Sequence, residues 1–517
     1  RPGFDASLLL SAGEPGFGVE HGEVYSVHVG WSGNSVLSAE RQPYTTGLIG
    51  GGEVLLGGEA TLARGETYTT PWLYGSYGDG LNEVAARFHD YVRSCHPDLA
   101  VKPRPVILNT WEAVYFDHDY DTLKALADKA GDSGVERFVV DDGWFGSRRD
   151  STSGLGDWQI AQDVWPDGPK SLKALADYVH GKGMEFGLWF EPEMVNPDSD
   201  VARAHPDWVL RPTANRLPMQ GRSQQVLDLT NPDAYRYIHD SIDALVGELG
   251  IDYIKWDANR HAENAGSEFL PKDRQSHFWI DYVQGFYKVM ERIRAKYPDV
   301  LIQACASGGG RVEYGAMKYF NEVWTSDNTE ALSRARIQYG TSLFYPATVM
   351  GSHVSATPNH QTSNITPIKF RFDMACAGRL GMELQPKQMN AEEKAFARKA
   401  IESYKGYRDI VMEGDLYRIG TPYDDTGYYG VMYVSKDKKK AVLFTYCTLY
   451  QSRTLVPKYR LYGLDAQTRY KIREQNVDKK RFWFDGGTFT GEYLNHAGIN
   501  PNLNKIYDSA VFVLEAE

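Results

Sequence analysis

The sequence predicts an α/β protein: a (β/α)8 TIM barrel flanked by an N-terminal β-rich segment and a C-terminal antiparallel β-sandwich. Three observations predict it. Between residues 105 and 385, short β-rich runs alternate with segments whose apolar residues recur at helical spacing, as parallel strands joined by crossover helices require. Eight such strands in roughly 280 residues is the size of this barrel. On either side the pattern reverts to strands and turns. The expected organisation is a β-rich N-terminal segment over 1–80, a linking helix over 81–104, the barrel over 105–410 and the C-terminal sandwich over 411–517.

In chain order, Glu23–Val29 alternates apolar and polar residues as a half-buried strand does. Gly50-Gly51-Gly52 and Gly57-Gly58 are followed by no helix, so they read as turns between strands rather than a phosphate loop. From Asn82, read as a helix cap, Val84, Phe88, Tyr91 and Val92 mark one helical face. Strands follow at 106–111, 137–142, 186–191, 253–257, 301–305, 322–326, 347–350 and 371–377. Leu123, Leu126, Ala127 and Ala130 form the apolar stripe of one intervening helix, and Leu172, Leu175 and Val179 that of the next. Asn231-Pro232 is a cap followed by proline at the first helical position; Ile238, Ile242, Leu245 and Leu249 line that helix. Phe278, Tyr282, Phe286, Val289 and Ile293 line another. Near the C-terminus, Tyr428–Val434 and residues 441–446 are strands joined by the charged turn 436–440.

Composition narrows the function. The chain has 517 residues, 42% of them hydrophobic, enough for more than one core. A net charge of -12 argues against nucleic acid as a partner. No apolar run approaches the ~18 residues of a membrane span. Cys95, Cys305, Cys376 and Cys447 are scattered, neither a disulfide framework nor a zinc spacing; free thiols point to a reducing compartment and a cytoplasmic setting. With 12 Trp and 33 Tyr, the chain is well supplied with flat apolar rings for sugar faces.

Barrel enzymes carry their sites at the C-terminal strand ends, and here those ends are acidic and tryptophan-rich. They are Trp111-Glu112, Asp141-Asp142-Gly143-Trp144, Trp189-Phe190-Glu191-Pro192-Glu193, Lys255-Trp256-Asp257, Cys305-Ala306-Ser307-Gly308 and Trp324-Thr325-Ser326-Asp327. One aspartate after a strand is most often a helix cap; this many exceed what caps explain. In Tyr253–Asn259, strand alternation puts Tyr253, Lys255, Asp257 and Asn259 on one face. Buried, such groups must be paired or employed. Three readings fit: glycoside hydrolysis by two carboxyl groups; metal-dependent enolisation, with Asp142, Glu191 or Glu193, and Asp257 binding Mg²⁺ and Lys255 as base; and a silent sugar-binding barrel.

Asp141-Asp142-Gly143-Trp144-Phe145-Gly146, Trp189-Phe190-Glu191-Pro192-Glu193-Met194, Lys255-Trp256-Asp257-Ala258-Asn259-Arg260 and Trp324-Thr325-Ser326-Asp327-Asn328-Thr329 resemble family 36 of the glycoside hydrolases, and within it the bacterial α-galactosidases. The resemblance runs from about residue 20 to 385. It implies a retaining, double-displacement hydrolase of terminal α-linked galactose, as in melibiose and raffinose, with no cofactor and no metal. Relatives that transfer galactose, or that take N-acetylgalactosamine, are the alternatives; the side chain of Cys305 beside the sugar's 2-position favours plain galactose. By this resemblance Asp257 is the nucleophile and Asp327 the acid/base. Asp141 and Asp142 meet the O4 and O6 hydroxyls, and Lys255 and Arg222 bind ring hydroxyls. Trp111, Trp189 and Trp324 form the walls, with Cys305, Gly308 and Asn259 as further contacts. Lys255 and Arg260 near Asp257 favour its ionised form, while burial without an adjacent cation should raise the pKa of Asp327. The resemblance also implies a larger N-terminal β-domain than residues 1–80 supply, and tetramers of the full-length form.

Overall fold

The computed structural model describes residues 8–44, 47–213, 215–216, 218–263, 266–450 and 455–517; the first seven residues of the expected N-terminal domain lie outside them. Leu10–Gly13, Glu23–Val29 and Leu73–Asp79 form an antiparallel sheet with Glu23–Val29 at its centre. Ser35–Arg41 pairs with Gly47–Glu53. Gly50, Gly51 and Gly52, expected in a turn, therefore lie in a strand. A Cβ on Gly51 would come within 2.6 Å of the Val36 carbonyl oxygen, so glycine here permits close approach of the paired backbone.

Helix Leu81–Cys95 buries Val84, Phe88 and Val92 as its spacing requires, with Tyr91 at the stripe's exposed edge. Its cap is Gly80, not Asn82. The Asn82 side chain instead accepts from Arg418 Nη1 at 2.9 Å, tying this helix to the C-terminal sheet.

The barrel is closed and parallel. Its strands are Ile107–Asn109, Arg137–Val140, Glu185–Phe190, Tyr253–Trp256, Leu301–Ala304, Glu322–Trp324, Met350–Val354 and Arg379–Met382. The last pairs with the first, Gly381 opposite Ile107. Alternation sorts the fourth strand as expected: Tyr253 joins Ile107 and Val139 in a small cluster apart from the main core, while Trp256 packs on Phe286 of helix Phe278–Lys296.

Two strand assignments shift. Residues 371–377 belong to helix Ile368–Ala375 and the turn after it; the eighth strand follows at Arg379–Met382. That helix is buried from Phe370 to Ala375 without a break, yet its sequence alternates Ile368, Phe370, Phe372 and Met374 with Lys369, Arg371 and Asp373, which is the period-two pattern of a strand. The seventh strand begins at Met350, because residues 347–349 form a tight helical turn after Pro346. The first strand is also shorter than expected, and Trp111 opens the short helix Trp111–Val114.

Helix Ala391–Glu413 starts with a reciprocal cap between Asn390 and Glu393 and leads into a six-stranded antiparallel sheet. The sheet order is Asp415–Gly420, Tyr428–Val434, Lys440–Cys447, Asp508–Ala516, Arg469–Glu474, Thr488–Thr490. Tyr429, Tyr433, Phe444 and Tyr446 face the barrel core. Met432, Leu443, Ile472 and Phe512 face a second core closed by Leu461, Phe484 and Leu494. The outer layer of the expected sandwich is thus loops and the helix Gly491–His496 rather than a second sheet.

Candidate active site

The C-terminal ends of the barrel strands surround a cavity of about 340 Å3, within the range of small-ligand sites. Ten of the twelve residues singled out in the sequence line it: Trp111, Asp141, Asp142, Trp189, Arg222, Lys255, Asp257, Asn259, Trp324 and Asp327. Cys305 and Gly308 are not among the lining residues. Cys305 is buried, and desolvation together with Asp257 and Asp327 pushes its thiol well above the usual range, so it stays a neutral thiol. Gly308 has φ +82, and a Cβ there would lie 2.7 Å from the Asp327 amide nitrogen. It is the gap that lets the loop carrying Asp327 pass.

Depth separates the two aspartates. Asp257 is 7% exposed. Its Oδ1 accepts from the Ala258 amide at 2.8 Å, and its Oδ2 from Asn259 Nδ2 at 2.8 Å and Trp189 Nε1 at 3.3 Å. Asn259 is held in turn by Ser307 Oγ at 2.8 Å. Asp327 stands at the rim, its side chain open to the cavity. Its Oδ1 accepts from Trp324 Nε1 at 3.1 Å. Although its surface meets the cavity, protein surrounds it closely enough that desolvation, with Asp257 adding to it, pushes its carboxyl up to about 6.

The charges differ in two respects from the sequence expectation. Lys255 does not pair with Asp257: its Nζ donates to Asp141 Oδ2 at 2.8 Å, an oxygen that also receives Asn109 Nδ2 at 2.7 Å. Burial works against the ammonium, but Asp141 and neighbouring carboxylates outweigh it and hold the lysine well above its ordinary value. Nor is Asp327 free of cations, since Lys255 pulls its pKa down part of the way. Arg260 Nη2 donates to the Met219 carbonyl at 3.3 Å. Arg222 lies at the rim with φ +56.

Seven lining residues were not singled out: Glu112, Phe116, Arg148, Ser151, His360, Gln361 and Glu383. Arg148 forks onto Asp142, Nε to Oδ1 at 3.0 Å and Nη2 to Oδ2 at 2.8 Å; desolvation still leaves the Asp142 carboxyl raised. Glu112 and Glu383 face each other's charge. Burial and Glu383 push Glu112 up to about 9. Glu383 is equally buried, but His353 Nδ1 at 2.9 Å and the charges of Lys255 and Arg334 keep it below its ordinary value. The pair therefore holds one proton at neutral pH. Glu112 was visible as an acidic strand end. Glu383 follows the eighth strand and was hidden when that strand was misplaced. Arg148 sits in the loop Ser147-Arg148-Arg149-Asp150, where nothing local marks it.

The carboxylates named for an Mg²⁺ site are taken up by other partners. Glu193 is forked by Arg311 at 2.7 and 2.9 Å, Asp142 by Arg148, and Glu191 accepts from Gln224 Nε2 and the Asn259 amide; no group of His, Cys, Asp and Glu among the described residues is arranged to hold a metal ion. Lys255, raised rather than lowered, is poorly suited to act as a base. Among the described residues no helix is long and apolar enough to cross a membrane.

The family profile described as Melibiase matches residues 67–414. The N-terminal and C-terminal domain profiles of glycosyl hydrolase family 36 match 1–63 and 428–514. The chain is 39% identical to an α-galactosidase of Escherichia coli over 90% of its length and 64% of that protein's. It is 38% identical to the bifunctional α-galactosidase/sucrose kinase AgaSK of Mediterraneibacter gnavus over 98% of its length and 52% of that protein's. The chain thus spans between about half and two thirds of these curated relatives. Its fold superposes with a TM-score of 0.92 on the α-galactosidase AgaA of Geobacillus stearothermophilus in complex with raffinose, at 35% identity, covering 98% of this chain and 69% of that one. Three consecutive profiles and this superposition place the chain in glycosyl hydrolase family 36.

Proposed function

We propose that the chain is a retaining α-galactosidase that removes terminal α-linked galactose from oligosaccharides such as raffinose and melibiose. One observation carries the reading: a closed-ended cavity with an immobilised carboxylate, Asp257, in its depth and a carboxyl of raised pKa, Asp327, at its rim. A blind pocket admits one terminal sugar, and the leaving group must point out past Asp327.

In the first step Asp257 attacks the anomeric carbon while Asp327 gives its proton to the departing glycosidic oxygen, leaving a β-galactosyl ester on Asp257. In the second, Asp327, now a carboxylate, takes a proton from water, which attacks the same carbon and releases α-galactose. Asp327 suits both roles because a group titrating near the working pH can donate and accept. Asp141 and Asp142 are anchored by Lys255 and Arg148; a carboxylate oxygen has lone pairs to spare for sugar hydroxyls. Trp111, Trp189 and Trp324 supply apolar faces. Turnover of 4-nitrophenyl α-galactoside, set beside the α-glucoside and the α-N-acetylgalactosaminide, tests the proposal. Galactoside preference supports it; equal or better turnover of either alternative removes it.

A further inference from the structure

The rim of the pocket is not uniform. On the side of Asp327 it is built by one segment, residues 355–366, which is fastened to the loop carrying that aspartate. Gln361 Nε2 donates to the Asp327 carbonyl at 2.9 Å. Ser355 Oγ donates to the Thr329 carbonyl at 3.2 Å, and Asn359 Nδ2 reaches Ser355 Oγ at 3.2 Å. The Asn359 side-chain oxygen accepts from the Gln361 amide at 2.9 Å and the Thr362 amide at 3.2 Å. His360 and Gln361 are thereby presented as exposed side chains that also line the cavity. The His360 ring stands edge-on to Tyr115, centroids 6.1 Å apart, and Tyr115 in turn meets Trp111 at 5.2 Å.

A general acid must lie within hydrogen-bond reach of the oxygen it protonates. With the terminal sugar in the depth, that oxygen sits by Asp327, and whatever it carries lies against the groups beside Asp327 at the rim. Ser151 and Arg222, the other exposed lining residues, do not share this fastening. We propose that His360 and Gln361 form the leaving-group subsite, seating the sugar beyond the scissile bond on the imidazole and the carboxamide, and so set which galactosides are cleaved. Partial burial holds the His360 imidazole below its ordinary value, so the neutral ring offers one donor and one acceptor to sugar hydroxyls. The same subsite must receive any sugar that intercepts the covalent intermediate, because transfer is the reverse of cleavage through one transition state.

This inference rests on the galactosidase reading, and the test separates the two. α-Galactosyl fluoride places the same galactose in the depth but carries no sugar at the rim. For His360→Ala and Gln361→Ala, the ratio of kcat/KM on raffinose to kcat/KM on the fluoride should fall roughly 3–10-fold, the scale of one neutral hydrogen bond. The ratio of transfer to hydrolysis at high raffinose should fall with it. His360 makes no hydrogen bond to the loop backbone in the network above, and its Nδ1 lies 3.7 Å from Glu112 Oε2, so its variant reports the subsite with the Gln361 fastening of Asp327 in place. If both ratios stay within about twofold of the parent in both variants, or the fluoride reaction falls as far as the raffinose reaction, the subsite is not there. If the parent enzyme fails on the fluoride itself, the galactosidase reading fails and takes the subsite with it.

Discussion

Asp142 offers a test of stability and activity in the same two variants. It is 5% exposed and gripped by Arg148 through two short bonds. Breaking a buried pair ordinarily costs about 3–5 kcal/mol. Here, however, desolvation raises the Asp142 carboxyl even with Arg148 in place. A carboxyl raised by folding stabilises the native state fully only below its unfolded value, and that contribution is lost as the pH rises through the folded one. At pH 7 the charge on Asp142 therefore works against folding. Asp142→Asn removes that charge and keeps one oxygen for Arg148, but it also takes away the carboxylate that raises Arg148, so about 1–2 kcal/mol should be lost, less than with alanine. Asp142→Ala removes both acceptors and leaves Arg148 with Asn196 Oδ1 at 3.0 Å and the Ser153 carbonyl at 3.4 Å; about 3 kcal/mol should be lost. Activity should fall in both variants. A charge-assisted hydrogen bond to a sugar hydroxyl contributes about 1.5–3 kcal/mol, and a neutral one about half of that. On 4-nitrophenyl α-galactoside, kcat/KM should fall about fivefold or more with asparagine and about tenfold to 100-fold with alanine. Urea unfolding and steady-state kinetics on the same preparations decide it. Unchanged kinetics in the asparagine variant would remove Asp142 from galactose recognition. If asparagine destabilises as much as alanine, the ion pair alone accounts for the residue.

Two further outcomes concern titration. Because Asp327 must carry its proton in the free enzyme and its carboxyl lies near about 6, kcat/KM for 4-nitrophenyl α-galactoside should decline above that pH. α-Galactosyl fluoride, whose leaving group needs no proton, should lack that limb, and an identical limb for both substrates would assign it elsewhere. Glu112, with its carboxyl pushed up to about 9, stabilises the fold fully below about 4.5 and loses that contribution as the pH rises through about 9. Glu112→Gln should therefore keep activity near pH 6 and unfold at a less pH-sensitive urea concentration than the parent between pH 5 and 9. Glu112→Ala, which also loses the 2.7 Å bond from Thr329 Oγ1, should lose activity. Equal losses in the glutamine and alanine variants would show that the group acts as a carboxylate.

The parts of this site legible in the sequence were those that alternate along a strand. Lys255, Asp257 and Asn259 follow from period two alone, and the strand-end tryptophans follow once the strands are placed. Partners that come from another strand were not legible: Lys255 was expected beside Asp257 because both share a face, yet it pairs with Asp141 from the second strand end. Arg148 was missed because it is one of two adjacent arginines in a loop, and only the fold distinguishes it from Arg149, which reaches Asp163. The eighth strand shows the limit of periodicity. Arg379-Leu380-Gly381-Met382 starts with a buried arginine and contains a glycine, both poor strand signals. Gly381 is there because a Cβ would come within 2.2 Å of the His353 ring. The helix before it alternates apolar residues with Lys369, Arg371 and Asp373, so it looked more like a strand than the strand did, and Glu383 was lost with it.

The central claim is that Asp257 attacks and Asp327 handles the proton, and azide trapping with a dinitrophenyl α-galactoside tests it most directly. Dinitrophenolate leaves without a proton, so Asp327→Ala should still form the covalent intermediate rapidly. Release should then slow by roughly 10²–10⁴-fold without a base, giving a burst of dinitrophenol. Azide needs no base and enters on the face the leaving group vacated, so it should restore turnover and yield α-galactosyl azide. Asp257→Ala should show no burst, and any azide product should be the β-anomer, formed by direct displacement from the side the carboxylate had occupied. Reversed anomers, or the same product and the same burst behaviour from both variants, would contradict the assignment.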